Sequence, residues 1–351
     1  MLAIKGVAEG LDLNVQRGGR PRRRRTVSTA NRGMSLLIFG AAAVAYVAFL
    51  RPAEGLDSRA RRLRAAPAVR PSADAFGRSG RLRMRFALPG EWVDLPIEVQ
   101  VPLDSLRYTW QPLRTARAPE PPRPLSDGLL APSSPGFYRL EVLGPGERRV
   151  VGEVTLAVLV PFQAKRGTLA LNGYRIGFYR GERWRQGSSN GPVGFLEVDS
   201  THLDLPLTRH LRVGDFLARD RQGVWPRYAA VDLRLLDKVE LVLDRVAALL
   251  GTSADSLALD IHSAFRTPLY NRRIPHAATD SRHQFGDALD FAVDANGDGR
   301  IDGRDLKLVA MAVELVERSY PELSGGLGIY VGRGRPYLHV DARGQRVRWR
   351  G

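Results

Sequence analysis

The chain has 351 residues, more than one typical domain needs and enough for a substantial core. It has no cysteine, which excludes disulfides, thiolate zinc ligands and cysteine nucleophiles. Its net charge is +16, and residues 1–33 hold eight basic against two acidic residues, while residues 51–79 hold seven against three. Because much of this excess flanks an apolar run and does not mark a face of a folded domain, we expect no nucleic-acid binding.

The N-terminal residues predict a membrane-anchored protein. Residues 1–33 are polar and basic and are expected to form a cytoplasmic tail. Residues 34–50 are apolar and uncharged, and as a helix they would be about 26 Å long, near the short limit for crossing a bilayer. The preceding arginines favour a cytoplasmic N-terminus, so the following domains would lie outside the cytoplasmic membrane. A cleaved signal peptide and a buried core helix are the alternatives.

The next segments predict a linker and a β-rich region. Residues 51–79 combine Arg, Ala, Pro and Ser with few large apolar residues, which favours a solvated linker. Residues 80–160 predict a small all-β, sandwich-like domain, for which we favour a spacer role over binding of glycan or a partner. Its polar–apolar alternation predicts strands in three segments, 81–86, 97–101 and 138–142. Residues 161–194 contain Asn172-Gly173 between apolar alternations, which predicts a hairpin in a β-rich connector.

From residue 195 onward the pattern becomes mixed. Residues 232–250 place apolar side chains at helical spacing, and Gly251 is a suitable C-terminal stop. Residues 257–261 predict a strand that leads toward Arg266. We therefore predict an α+β domain over residues 195–351.

Three residues of this domain have the chemistry of metal ligands. His283 and Asp290 lie seven positions apart, and His339 follows near the C-terminus. Imidazole and carboxylate together suit zinc, and three protein ligands with an open fourth position make a catalytic site. The hypothesis is a zinc ion held by His283, Asp290 and His339.

Alternation supports this grouping. Residues 288–293 predict a short strand with Asp290 on one face and large apolar side chains on the other. Residues 336–341 predict a second strand, on which His339 and Asp341 share a face. Both strands can therefore present ligands on one side and core residues on the other.

Three motifs, at residues 263–271, 281–290 and 339–341, then allow a comparison. They read Ser-Ala-Phe-Arg-Thr-Pro-Leu-Tyr-Asn, Ser-Arg-His-Gln-Phe-Gly-Asp-Ala-Leu-Asp and His-Val-Asp. In order and spacing they resemble zinc D-alanyl-D-alanine carboxypeptidases and related peptidoglycan endopeptidases, whose fold is shared by the Hedgehog signalling domain. The resemblance covers roughly residues 195–351.

The resemblance implies a function. It implies hydrolysis of peptidoglycan stem peptides, by a carboxypeptidase or a cross-link endopeptidase, with His283, Asp290 and His339 as zinc ligands. It also implies that the Arg266 guanidinium binds a substrate carboxylate or polarises the scissile carbonyl. We further expect Ser281 to contact the substrate.

The general base departs from part of this family. Many relatives have a glutamate three residues before the last histidine ligand, and this chain has Pro336 there. The closest carboxylate is Asp341. It either acts as the base or only orients His339, and the sequence leaves both roles open.

A second metal site is predicted independently in residues 294–305, which match a twelve-residue calcium loop. Gly299 gives the turn at position six, and position twelve is Asp where Glu is usual. We expect the ion to brace the zinc site without joining the reaction. The predicted ligands are Asp294, Asn296, Asp298, the carbonyl of Arg300, Asp302 and Asp305.

The sequence thus predicts a membrane-anchored zinc peptidase that acts on peptidoglycan outside the cytoplasmic membrane. The main alternative is a non-catalytic, metal-stabilised cell-wall binding module, which Pro336 favours and the Arg266 motif disfavours. A calcium-regulated adhesion protein would instead bind through residues 80–160.

Overall fold

The structure is a computed structural model that describes residues 69–182, 191–332 and 334–351. The predicted tail (1–33), the predicted anchor (34–50) and most of the predicted linker lie outside these residues. Within the described ranges, no helix has the length and apolar character that a membrane span requires.

The described residues form a mixed α+β structure, as predicted. The helices are α1 (Phe162–Lys165), α2 (Leu233–Leu250), α3 (Pro268–Asn271) and α4 (Gly303–Ser319). The first strands are β1 (Arg70–Pro71), β2 (Met84–Ala87), β3 (Ile97–Glu98), β4 (Arg107–Pro112), β5 (Arg123–Pro124), β6 (Gly136–Gly144), β7 (Glu147–Val158), β8 (Val160–Pro161), β9 (Ala170–Leu171) and β10 (Tyr174–Arg175). The later strands are β11 (Gly194–Val198), β12 (Arg227–Ala229), β13 (Leu259–Ser263), β14 (Ala288–Val293), β15 (Gly326–Tyr330), β16 (Tyr337–Asp341) and β17 (Val347–Arg350).

Residues 69–161 contain only strands and 3-10 turns. Five strands form a sheet of order β2-β7-β6-β4-β5, and β1 pairs with β3. Trp110 and Leu140 of the larger sheet share a core with Val69 and Ala75. The all-β character predicted for this region is therefore present, as one five-stranded sheet with a short two-stranded sheet.

The predicted linker is wrong at its C-terminal end. Val69 and Ala75 are buried, and the carboxylate of Asp237 on α2 accepts the backbone N–H groups of Arg78 and Ser79, each at 2.9 Å. The sequence suggested a solvated segment because it has few large apolar residues. Small side chains and a distant carboxylate hold it in place instead.

The core does not stop at the predicted boundary between residues 80–160 and 195–351. Leu82 and Phe137 lie in the same cluster of buried side chains as Val313. The described residues accordingly belong to one compact unit.

The hairpin predicted at Asn172-Gly173 is confirmed. Strands β9 and β10 pair antiparallel with Leu171 opposite Tyr174, so two residues form the turn. Asn172 has φ 43° and Gly173 has φ 85°. Asn-Gly tolerates this left-handed backbone, which is why it is typical of such hairpins.

The predicted amphipathic helix is α2. Asp232 precedes it and accepts the N–H of Arg234 at 2.7 Å, and Gly251 ends it with φ 66°. Its buried face packs against α4. Each end therefore has the cap that its sequence predicts.

A five-stranded sheet of order β13-β14-β16-β15-β17 carries the C-terminal motifs. Leu289 and Phe291 on β14, and Leu338 and Val340 on β16, are fully buried in the large core. Helix α4 contacts β14, β15 and β16. Since side chains alternate along a strand, the opposite face of the sheet carries the polar residues of the motifs.

A buried ion pair joins the helices to this sheet. The Nζ of Lys238 on α2 donates to Glu317 on α4 and to the backbone oxygen of Asp341, each at 2.7 Å. Arg348 of β17 also binds Glu317. Burial lowers the pKa of Lys238, so its charge depends on these oxygen partners.

Replacing this lysine tests the network. In Lys238→Met, the Asp341 carbonyl loses its donor and Glu317 keeps only Arg348 among these partners. We expect the free energy of unfolding to fall by about 3 kcal/mol in urea denaturation. Lys307→Met, at an exposed position of α4, should cost less than about 0.5 kcal/mol. Equal stabilities of the two variants would contradict the role given to Lys238.

A second ionic contact ties the loop before β12 to α2. His210 Nδ1 lies 2.7 Å from Glu240, and its Nε2 lies 3.2 Å from Asp255. The hydrogen bond to Glu240 outweighs burial and raises the pKa of His210. A raised folded-state pKa stabilises the protein below the unfolded pKa of about 6.5, and this contribution disappears as the pH rises through the folded-state pKa.

The difference in unfolding free energy between wild type and His210→Gln should therefore depend on pH. We expect the wild type to exceed the variant in unfolding free energy by a larger amount at about pH 5.5 than at about pH 9. Only the protonated imidazole forms ion pairs with the two carboxylates. Chemical denaturation at both pH values measures this difference. A constant difference would mean that His210 contributes by packing alone.

Candidate metal centre

The structure brings the three predicted ligands together. His283 Nε2 lies 3.1 Å from Asp290 Oδ1, His339 Nδ1 lies 2.8 Å from the same oxygen, and the two nitrogens are 3.2 Å apart. All three residues are buried. Across the part of the chain that the structure describes, no other group of three or more His, Asp or Glu side chains converges in this way.

Strand pairing places two of the ligands. Strands β14 and β16 are antiparallel, with Asp290 directly opposite His339. His283 comes from the 3-10 turn Arg282–Phe285, which ends at Gly286 with φ 72°. A Cβ at Gly286 would lie 2.1 Å from the carbonyl oxygen of Ala230, so only glycine allows this close passage.

The remaining nitrogen of each histidine also has a partner. His283 Nδ1 lies 2.6 Å from the carbonyl oxygen of Ala264, which can only accept, so Nδ1 carries the proton. His339 Nε2 lies 3.2 Å from Asp341 Oδ2. Histidines that bind metals usually donate their second nitrogen in this way, which fixes the ring and its tautomer.

The electrostatics suit a cation. Burial lowers the pKa of His283, which favours the neutral ring that a metal requires. Burial alone would raise the pKa of Asp290, but His283 and His339 outweigh it and hold that pKa well below its usual range. Burial would also lower the pKa of His339, but the carboxylates of Asp290 and Asp341 raise it. A metal ion would therefore compete with a proton at His339.

The geometry of the donor atoms fits a metal ion. Two imidazole nitrogens and one carboxylate oxygen converge with spacings of 2.8–3.2 Å. Ligands bound about 2.0–2.1 Å from a tetrahedral ion lie about 3.3 Å from one another. The group could therefore close around an ion with small adjustments of its side chains.

Arg266 binds one of the metal ligands, a contact that its motif did not predict. Its guanidinium binds Oδ2 of Asp290, the oxygen turned away from the histidines, and its Nε donates to Ser263 Oγ at 2.7 Å. Its backbone N–H donates to the carbonyl of His283 at 3.1 Å. Arg266 thus fixes two of the ligands, and its contact with substrate stays a prediction.

For Asp341, the structure favours one of the two predicted roles. The side chain is fully buried and accepts the N–H of Gly326 at 2.7 Å, in addition to bonds from Arg343 and His339. Burial would raise the pKa of Asp341, but the bonds from His339 and Arg343 outweigh it and hold the pKa well below its usual range. A carboxylate with these partners orients His339 and is a poor acceptor of a proton from water.

Of the other residues near the site, Ser281 was predicted from the sequence and Trp349 was not. Ser281 begins the turn that carries His283 and is half-buried, so its predicted substrate contact stays a prediction. The sequence analysis did not single out Trp349, whose ring centre lies 5.2 Å from that of His339. A Cβ at Gly328 would lie 2.4 Å from this indole. The alternating glycines of β15 are the signal that could have indicated a large neighbour.

The predicted calcium loop gains no support. Asp294 accepts the N–H groups of Gly297 and Gly299. Asp305, in the first turn of α4, accepts the backbone N–H of Ala295 on one oxygen and that of Asp302 on the other. Among the described residues, the acidic side chains of the loop do not converge as the histidine–aspartate group does. Calcium therefore stays a prediction for Asp294, Asn296, Asp298, Arg300, Asp302 and Asp305.

Comparisons with protein-family models, with curated proteins and with solved structures gave no match. The function is therefore inferred from the side chains of the site and from the resemblance of the three motifs. The site itself is a buried group of His283, Asp290 and His339 that could bind a metal ion.

The role of Asp341 as the partner of a ligand can be tested. Asp341→Asn removes the charge that faces His339 Nε2 and keeps the size of the side chain. We expect zinc affinity to fall by about 10–100-fold in competition with a chelating dye. Asp104→Asn, at an exposed position of the turn before β4, is the matched control and should bind zinc as the wild type does. Unchanged zinc affinity in a folded Asp341→Asn protein would contradict this role.

Proposed function

We propose that this protein is a zinc-dependent peptidase that hydrolyses the stem peptides of peptidoglycan. The observation that carries the proposal is the buried group of His283, Asp290 and His339. Two imidazoles and one carboxylate are a ligand set of catalytic zinc sites. The motif resemblance supplies the substrate class, and it extends to a Hedgehog-like fold for residues 195–351.

The chain's own residues have defined tasks in this proposal. Zinc, when bound, supplies a Lewis acid that activates water and polarises a carbonyl. His283 offers Nε2 and His339 offers Nδ1, while Ala264 and Asp341 hold the two rings. Both contacts are made before a substrate arrives, so the rings need no reorientation during the reaction.

Arg266 and Trp349 would complete the site. Arg266 remains bonded to the second oxygen of Asp290 and keeps a partly exposed guanidinium beside the ligands. This charge can attract a substrate carboxylate or the carbonyl to be cleaved. The Trp349 indole packs beside His339 and would cover one side of that ring.

Location and bond specificity belong to the same proposal. The apolar segment 34–50 after a basic tail supports a single-pass anchor with the catalytic region outside the cytoplasmic membrane. Both segments lie outside the described residues. Carboxypeptidase and cross-link endopeptidase activity both fit, since the two reactions hydrolyse amide bonds of the same peptides.

A second candidate is a metal-stabilised module that binds the cell wall without catalysis. The ligand side chains of His283, Asp290 and His339 are only 2–9% exposed. Pro336 also replaces the glutamate that many relatives place before the last ligand. Both observations favour a structural metal, which needs no access for substrate.

Purified muropeptides distinguish the two candidates. We expect the zinc-loaded full chain to shorten stem peptides by one alanine or to convert cross-linked dimers into monomers, as judged by mass spectrometry. Chelation should stop the reaction and added zinc should restore it, because the metal supplies the Lewis acid. His283→Ala should be inactive, and His276→Gln, at an exposed position, should be active. Bound zinc without any product would favour the binding module.

A further inference from the structure

Strand β13 contains a bulge beside the metal centre. Ile261 pairs with Phe291 and Ser263 pairs with Asp290, so His262 is an extra residue in the ladder. Bulges re-aim a side chain and are frequent next to active sites. Here the bulge immediately precedes the serine whose hydroxyl binds Arg266.

The bulge turns His262 toward the face that carries the ligands. Its ring centre lies 5.3 Å from that of Tyr337 on β16, although β14 separates β13 from β16. The ring therefore reaches over β14, on which the small residue Ala292 pairs with Asp260. Tyr337 and His339 are two residues apart on β16, so they share this face.

A carboxylate holds the imidazole of His262. Its Nε2 lies 3.2 Å from Asp260 Oδ2, and Arg335 Nη1 lies 3.4 Å from the same oxygen. The side chain of His262 is 18% exposed, so solvent reaches it more readily than it reaches any of the three ligands. An aspartate on one nitrogen fixes the orientation of the ring and leaves the other nitrogen, Nδ1, to accept a proton.

Among the residues that the structure describes, the site shows no other evident base. Asp341 is buried and bonded to His339 and Arg343, and Pro336 stands where many relatives have a glutamate. His262 is a solvent-accessible imidazole on the ligand face, and imidazole is the side chain that most often transfers protons near neutral pH.

We propose that His262 is the general base of the hydrolysis, positioned by Asp260; this inference rests on the proposed function. Nδ1 of His262 takes one proton from water as the water oxygen forms a bond to the scissile carbonyl carbon. The same proton then passes to the amide nitrogen as the carbon–nitrogen bond breaks. The products are a carboxylic acid and an amine, and His262 returns to its neutral form.

Charged and titratable groups approach His262 from several elements, and Arg219 of the loop before β12 donates to the adjoining carbonyl of Ile261. Asp260 lies on its own strand, Tyr337 faces it from β16, and Arg335 approaches from the loop before β16.

His262→Gln in the zinc-loaded full chain tests the inference, with muropeptide as substrate. We expect kcat to fall about 100-fold or more, with unchanged zinc content and melting temperature, and the acidic limb of the kcat–pH profile to disappear. Asp260→Asn should lower kcat about 10-fold, because it affects the base only through orientation. His276→Gln, an exposed histidine in the loop after α3, is the matched control and should keep wild-type kcat.

The possible results distinguish a failure of this inference from a failure of the proposed function. Chelator-sensitive hydrolysis by the wild type together with wild-type kcat in His262→Gln would overturn this inference alone. A change confined to KM would also overturn it, because His262 would then act in substrate binding. A loss of zinc would overturn it as well, because His262 would then support the metal. A zinc-loaded wild type that cleaves nothing would overturn the proposed function and this inference with it. If His262→Gln does not fold, the kcat and pH profile of Asp260→Asn decide in the same way.

Discussion

The register of β14 against β16 is the constraint on which the metal centre depends. It sets Asp290 opposite His339, and the buried side chains of Leu289, Phe291 and Leu338 hold that register. Since side chains alternate along a strand, a slip of either strand by one residue would turn its own ligand into the core and expose its apolar residues. The free energy of burying the apolar face therefore also specifies the ligand geometry.

The C-terminal end of β16, at Asp341, is also held in place by close contacts. A Cβ at Gly325 would lie 1.8 Å from the carbonyl oxygen of Asp341, so the chain after α4 passes as closely as backbone can. Lys238 binds that same carbonyl from α2. The backbone of Asp341 is therefore held by its own strand β16, by the chain at Gly325 and by α2. From this fixed position its carboxylate contacts His339. Rigid support of this kind is what a ligand set needs to keep its shape before the metal binds.

Local patterns in the sequence predicted much of this arrangement. Alternation located β14 and β16 and assigned Asp290 and His339 to one face, because one face of these strands is buried. Helical spacing located α2, and Asn172-Gly173 located a hairpin. The ligand set followed from residue chemistry and from motif resemblance.

Other features depend on contacts between distant segments and carry no local signal. The contact of Asp237 with residues 78–79 orders a segment that looks like a linker. The bulge at His262 exists only in relation to the partner strand. The bond from Arg266 to Asp290 needs the folded sheet. The acidic loop at 294–305 shows the reverse case, since a local pattern predicted calcium and the structure uses several of its oxygens to bind backbone N–H groups.

The central claim is that two histidines and one aspartate of this chain bind a single metal ion. X-ray absorption at the zinc edge of the zinc-loaded full chain tests it most directly. We expect a shell of four nitrogen or oxygen ligands at about 2.0–2.1 Å, with the outer-shell scattering of two imidazole rings. A shell of oxygen ligands without imidazole scattering would contradict the claim and place the metal elsewhere in the protein.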